Sequence, residues 1–263
     1  LITGGGGSIG SELVHQILNL NPKKVVILDM NELNIHNLTL ETKNNNKLVT
    51  ILGSLLDKPL LERIFQAHDF DIVFHAAAYK HVSIVEDNMF YGVMNNVYST
   101  FFIGNFSIKY NVDNFVLVST DKAVRPSNYM GKSKLIAEMI INQLSKTSKT
   151  KFSIVRFGNV LNSSGSVLSI FDQQIKQGGP LTVTDKNVTR YFMSIPEAAQ
   201  LIIQSSTIAN QCRTFILEMG ESYNIYDLAK RIIKINGFQL KSKDSDGVAI
   251  DIIGLKEGEK LHE

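Results

Sequence analysis

The sequence holds one cysteine, Cys212, so no disulfide can form within the chain, and the expected setting is a reducing compartment such as the cytoplasm. No apolar run approaches the ~20 residues that cross a bilayer, and no signal-peptide pattern is present, so no membrane contact is expected within this segment. Basic runs are missing too: 27 Lys and Arg against 25 Asp and Glu leave a net charge of +2. That balance argues against nucleic acid as the main partner, and any bound anion should be met by a local site. No cluster of Cys, His and carboxylates has metal-site spacing, so no metal is expected, and His75 and His81 read as packing or loop residues. Internal repeats and low-complexity tracts are absent. Only Leu1 and Ile2 precede the first turn residues, where a core strand of about five or six is normal, so the chain is expected to begin inside a strand with any membrane anchor upstream of it.

What is present is an α/β pattern. The 263 residues are 44% apolar, enough for a large core, and their texture predicts two lobes. Thr3-Gly4-Gly5-Gly6-Gly7-Ser8-Ile9-Gly10 separates the strand stub from a helix carrying Ile9, Leu13, Val14, Ile17 and Leu18. A helix N-terminus offers free N–H groups, and glycines let a pyrophosphate approach the backbone, so Gly4, Gly7, Ser8, Ile9 and Gly10 are candidates for a cofactor cradle. The next strand, Val25-Val26-Ile27-Leu28, ends in Asp29, nineteen residues after Gly10, which is the context a dinucleotide site requires. A carboxylate there can accept from both ribose hydroxyls but repels a 2′-phosphate, which favours NAD over NADP.

A third strand, Leu48 to Leu52, leads to Asp57, which either meets the adenine amino group or caps the following helix. The fourth, Ile72-Val73-Phe74, ends in His75-Ala76-Ala77-Ala78-Tyr79-Lys80-His81. Three small residues at a strand end suit the floor beneath a dinucleotide, so Ala76, Ala77 and Ala78 join the cofactor candidates. Lys80 either serves a phosphate or is a plain surface lysine. Met89 to Tyr110 predicts one long helix, and its two interior amides, Asn95 and Asn96, suggest that at least one turns inward to bond near the site. A fifth strand, Phe115-Val116-Leu117-Val118, delivers Ser119-Thr120-Asp121-Lys122 at its carboxyl end, where open α/β sheets place chemistry. In the helix that follows, Met130 and Lys134 lie one turn apart on a face directed at that end. The alternation predicts a Rossmann-type doubly wound parallel sheet with right-handed crossovers over residues 1–157.

From Gly158 onward loops alternate with short elements, which predicts a smaller C-terminal α/β substrate-binding lobe over 158–263, with possible return of segments to the sheet. Val167 to Gln177, Pro196 to Thr207 and Asp227 to Asn236 read as helices; Leu181 to Val183 and Thr214 to Leu217 read as extended. A two-lobed layout leaves a cleft, the usual place for a small-molecule site. Lys241 to Gly247 reads as a polar loop, and Ser166 as a helix cap or a ligand.

The motifs Thr3-Gly-x-x-Gly-x-x-Gly10, Ser119-Thr-Asp-Lys122 and Arg156-Phe-Gly-Asn-Val160 resemble the extended short-chain dehydrogenase/reductases. More narrowly they resemble the bacterial nucleotide-sugar 4,6-dehydratases of polysaccharide biosynthesis. His75-Ala-Ala-Ala-Tyr-Lys-His-Val82, Val188-Thr-Arg-Tyr-Phe-Met193 and Gly254-Leu-Lys-Glu-Gly-Glu-Lys-Leu261 extend the likeness over nearly the whole chain. That superfamily usually carries Tyr-x-x-x-Lys, whose lysine contacts the nicotinamide ribose. Here the tyrosine position is Met130, which cannot move a proton, and a subgroup of UDP-N-acetylglucosamine 4,6-dehydratases shares this Met-x-x-x-Lys. The subgroup includes membrane-anchored members, so the chain could equally be the cytoplasmic domain of an inner-membrane-anchored protein.

The resemblance implies oxidation at C4 by NAD, loss of water across C5 and C6, and return of the hydride to C6. Asp121 and Lys122 supply one potential acid and one potential base. The resemblance assigns Asp121 to the C6 hydroxyl, Lys122 to C5 and Thr120 to the C4 hydroxyl, with Ser119, Lys134 and Val160 at the cofactor. It places Lys80, Asn96, Asn159, Thr182, Arg190 and Glu259 at UDP-N-acetylglucosamine or a related UDP-sugar; Arg190 suits the pyrophosphate because a guanidinium fork matches phosphate oxygens. The long helices carry more apolar residues than one sheet face needs, which implies a homo-oligomer. Two other readings remain open: a UDP-sugar 4-epimerase on the same scaffold, and a non-catalytic NAD-sensing protein that has lost the tyrosine.

Overall fold

The computed structural model describes residues 1–163, 165–208, 212–241 and 246–263. Ser164 of the loop after the sixth strand and residues 242–245 of the expected polar loop lie outside them. Six strands run β1 (Ile2–Thr3), β2 (Val25–Asp29), β3 (Leu48–Leu52), β4 (Ile72–His75), β5 (Asn114–Val118) and β6 (Lys151–Arg156). With a further strand, Arg213–Ile216, they form a seven-stranded sheet in the order Arg213–Ile216, β6, β5, β4, β1, β2, β3. Every pairing in it is parallel. The chain reverses its direction of travel between β1 and β4, which is where a doubly wound sheet opens a crevice at its carboxyl edge.

The strands are nearly continuous apolar runs because helices cover both faces. On one face, Leu1, Val26, Leu28, Val73, Phe115, Leu117, Phe152 and Ile154 pack with Leu61 and Phe65 of α3 (Lys58–Ala67). Ile103 of α6 (Ser99–Lys109) and Ala137 and Ile141 of α7 (Tyr129–Ser145) complete that layer. Helix α1 (Ser8–Asn19) buries Gly10, Leu13 and Val14, and α2 (Glu32–Glu41) follows β2.

The structure corrects one expectation. The helix expected from Met89 to Tyr110 is preceded by a separate short helix, α4 (Val82–Asp87), and is itself α5 (Met89–Val93), a π-helical turn over Met94–Tyr98, and α6. The wide turn falls on the two asparagines and carries Asn96 into the interior, at 1% exposure. The helix Ile195–Ile208 is followed by the strand Arg213–Ile216, which pairs with β6, Arg213 opposite Ser153, so this segment of 158–263 returns to the sheet.

The chain therefore divides into a unit of Leu1–Phe157 with Pro196–Leu217, and a unit of Gly158–Ile195 with Glu218–Glu263. The second is held by helices Val167–Lys176 and Ile225–Ile235. Ile225, Ala229 and Ile233, spaced four apart, form a buried stripe that meets Phe171, Ile175, Leu181, Val183 and Val188. Asn224 caps the later helix by accepting from Asp227 N at 2.9 Å. Three short strand pairs complete this unit: Asn159–Val160 with Phe192–Met193, Leu181–Val183 with Ile250–Ile252, and Thr189–Arg190 with Tyr223–Asn224. Among the described residues no helix is long and apolar enough to cross a membrane.

Candidate active site

The glycine loop has the shape a pyrophosphate requires. Gly4 sits at φ +67°, and a Cβ there would meet Ala77 Cα at 2.7 Å; a Cβ on Gly10 would lie 2.0 Å from Gly4 O. Gly7 differs, since a Cβ there would approach only Gly4 O, at 3.3 Å. Gly7 is the helix-start residue of α1 and makes no side-chain cap bond. Ser8, Ile9 and Gly10 form the first turn behind it. Asp29 ends β2, and its two oxygens accept from Gly6 N and Asn31 N, each at 2.9 Å. The carboxylate is thereby fixed beside the loop with lone pairs remaining for ribose hydroxyls. Ala76, Ala77 and Ala78 are half-buried after β4, with Ala76 N bonded to Thr3 O at 3.1 Å. This set fits NAD: a cradle in which Cβ atoms would clash, a helix start at Gly7 with no side-chain cap bond, and a fixed carboxylate one strand away. Asp57 caps α3 through Leu60 N at 2.9 Å, the second of its two readings.

At the end of β5, Thr120 to Lys122 turn into a 3₁₀ segment, Asp121–Ala123. Asp121 Oδ1 accepts from Thr120 Oγ1 at 2.9 Å and from Lys122 Nζ at 3.2 Å. Among the described residues Asp121 Oδ2 is buried with no partner. An orphaned carboxylate oxygen is costly, which makes this one a candidate to meet a bound group or a water. Helix α7 seats this turn: Asn128 accepts from Gly131 N at 2.7 Å, and a Cβ on Gly131 would lie 2.3 Å from Lys122 O. Met130 is buried at 4% exposure. One turn on, Lys134 is buried and donates from Nζ to Val118 O at 2.6 Å. Burial lowers its pKa to about 8, against the opposing pull of Glu138.

Several side chains placed at the site by sequence are committed elsewhere. Ser119 donates its hydroxyl to Glu138, a buried carboxylate that also grips Arg156. Asn96 is saturated: its oxygen accepts from Tyr79 N at 2.7 Å, and its amide donates to Tyr79 O and Ser133 Oγ, both at 3.0 Å. It pins a loop and has nothing left for a sugar. Thr182 is clamped by Gln174, which accepts from its N–H at 3.0 Å and donates to its hydroxyl at 2.8 Å. Arg190 and Glu259, both expected at the substrate, pair with each other at 3.0 Å, and Glu263 lies 3.4 Å from Arg190 Nε. The fork offered to a pyrophosphate is filled by carboxylates. Ser166 holds the helix-start position but makes no capping bond to the backbone. Asn159 and Val160 lie in the short parallel pair with Phe192–Met193, and Lys80 is exposed.

Sequence reasoning missed Glu138. Its signal was present: an acid in an otherwise apolar helical face, one turn after Lys134. Among the described residues no group of three His, Cys, Asp or Glu could hold a metal ion.

The profile of the family described as "Polysaccharide biosynthesis protein" matches residues 1–263. The chain is 42% identical, over all of its length, to "Probable polysaccharide biosynthesis protein EpsC" of Bacillus subtilis, and covers 44% of that protein. It therefore spans less than half the length of some curated relatives. It is 31% identical to a "UDP-N-acetylglucosamine 4,6-dehydratase (inverting)" of Campylobacter jejuni, covering 100% of this chain and 75% of that one. A "UDP-glucose 4-epimerase" of Rickettsia prowazekii is 32% identical, covering 100% of this chain and 76% of the other. Among solved structures, Pen from Bacillus thuringiensis superposes with TM-score 0.90 at 34% identity, covering 99% of this chain and 80% of that one.

Proposed function

The chain belongs to the polysaccharide biosynthesis protein family, and we propose that within it the intact protein is an NAD-dependent nucleotide-sugar 4,6-dehydratase acting on UDP-N-acetylglucosamine or a closely related UDP-sugar. The observation that carries the reading is the buried Oδ2 of Asp121, without a partner among the described residues, beside Lys122 Nζ at the end of β5. NAD, when bound, supplies the hydride acceptor for C4 and the hydride donor for C6. Gly4, Gly7 and Gly10 shape its cradle, Asp29 takes its adenosine ribose, and Lys134 holds the nicotinamide ribose. Thr120 orients the C4 hydroxyl. The C4 hydroxyl proton passes through Thr120 Oγ1 to the Asp121 carboxylate. Lys122, with Nζ neutral, removes the C5 proton that the 4-ketone has made acidic. Asp121 gives the proton it received to the C6 hydroxyl, which leaves as water, and Lys122 returns a proton to C5 as C6 receives the hydride. Met130 excludes water and moves no proton.

The Rickettsia likeness favours a second reading, a UDP-sugar 4-epimerase, which needs hydride transfer at C4 but no acid-base pair for C5 and C6. Incubation with UDP-N-acetylglucosamine in deuterated water separates the two. A dehydratase yields a 4-keto-6-deoxy sugar carrying solvent deuterium at C5. An epimerised hexosamine with its 6-hydroxyl intact and no deuterium at C5 sinks the dehydratase reading.

A further inference from the structure

We propose that His75 is a positioning residue: locked as a neutral Nε2–H tautomer between Thr3 and Thr100, it fixes the Ala76–Ala78 strand end on which the dinucleotide rests. This rests on the NAD reading of the glycine loop.

His75 closes β4 at 1% exposure, and its register partner on β1 is Thr3. Its Nδ1 lies 2.7 Å from Thr3 Oγ1, and its Nε2 lies 2.9 Å from Thr100 Oγ1 on α6. The Thr100 hydroxyl has one proton and gives it to Asn96 O at 2.8 Å. Toward His75 it can only accept, so Nε2 carries the ring proton. Nδ1 of the neutral ring then accepts, and Thr3 donates to it. The Thr3 oxygen is left to receive the Ala77 N–H, at 3.4 Å.

The chain of donors therefore runs one way, from Ala77 N through Thr3, His75 and Thr100 to Asn96 O, with no donor facing a donor. At Asn96 it meets the pair of bonds that hold Tyr79, and Ser133 carries the network to Met130 O at 2.7 Å. Both ends of the segment Ala77 to Tyr79 are thus tied. Because the Gly4 backbone abuts Ala77 so closely that a Cβ would fall 2.7 Å from its Cα, movement of Ala77 passes directly to the glycine loop. Burial, with the Lys134 cation second, lowers the His75 pKa to about 3, so the ring stays neutral at working pH.

The test starts with the ligand-free intact protein labelled with ¹⁵N at histidine. Long-range ¹H–¹⁵N correlation at neutral pH should show His75 with Nε2 protonated and Nδ1 bare; an Nδ1–H tautomer or an imidazolium overturns the proposal. NADH is then titrated by fluorescence. Thr100→Val should weaken NADH roughly tenfold, the effect of losing one buried hydrogen bond and its alignment, while Thr100→Ser should bind within about twofold of the parent. A folded Thr100→Val protein that binds NADH as the parent does also overturns it. Should the parent bind no NADH at all, it is the dinucleotide reading that fails, and the tautomer measurement still decides how His75 is held.

Discussion

Lys134 and Val118 are joined by a 2.6 Å hydrogen bond from the buried ammonium to the last carbonyl of β5. In a site with a methionine at position 130, the lysine has no phenol to activate, and its ammonium is held by the strand end.

The first prediction follows from the lowered pKa of that lysine, about 8. An unfolded lysine keeps its proton to about 10.4. Between the two values the unfolded chain binds more protons, so stability rises with pH across that window, and the cost of the buried ammonium is fully present below it. Ligand binding goes the other way. NADH affinity should fall as pH rises through 8, and Lys134→Met should flatten that fall while weakening binding at pH 7. A fall that persists unchanged in the variant assigns it to another group.

The acid-base pair should separate from the binding groups. Lys122→Ala and Asp121→Asn should bind NAD and UDP-sugar yet lose 4-keto-6-deoxy product by ~10²–10⁴-fold. Met130→Ala should cost far less, because only packing is removed. The assignment to the end of β5 fails if Met130→Ala is dead while Lys122→Ala turns over normally.

Asp29 accepts from Gly6 N and Asn31 N, and a dianionic 2′-phosphate would face its charge. NAD should therefore bind far more tightly than NADP in parallel titrations. Asp29→Ala should weaken NAD by roughly 1.5–3 kcal/mol, the worth of charged hydrogen bonds, and narrow the gap.

Glu138 is almost fully buried and holds both Arg156 and Ser119. Removing one partner of a buried pair leaves the other charge stranded. Glu138→Ala should cost roughly 2–4 kcal/mol in chemical denaturation, less than the extreme for buried pairs because Arg156 reaches solvent. Glu138→Gln, which keeps the shape, should cost less than half as much.

Phe90, Tyr91 and Met139 are more than 60% exposed on α5 and α7, which contact each other. Side chains of this size are rarely left in water together on a lone subunit. Light scattering at micromolar concentration should report an oligomer, and Phe90→Asp combined with Met139→Asp should shift it toward monomer.

The sheet was legible because parallel strands buried on both faces are written as runs such as Val25 to Leu28, and because glycine spacing and Asp29 define the first crossover. The end of β5 was legible for the same reason: polar residues directly after an apolar run must emerge at the carboxyl edge. Periodicity could not show the π-helical turn at Met94–Tyr98, which adds one residue to a turn without changing composition. Nor could it show which polar side chains bind one another instead of a ligand. Ser119, Asn96, Thr182 and Arg190 all have the chemistry of ligand-binding groups, and each found its partner outside its own helix or strand, at Glu138, Tyr79, Gln174 and Glu259. The return of Arg213–Ile216 to β6 is a long-range pairing of the same kind.

The contact between Gly131 and Lys122 O bears on how such a site can change over time. With no side chain at 131, the first turn of α7 lies against Lys122 O and is held by the Asn128 side chain, so the Cα–Cβ direction of residue 130 is set by contacts that residue 130 does not make. Identity at 130 can drift while the location it addresses stays put. A tyrosine and a methionine would then be alternative tenants of one fixed spot, each starting from the same backbone position and direction.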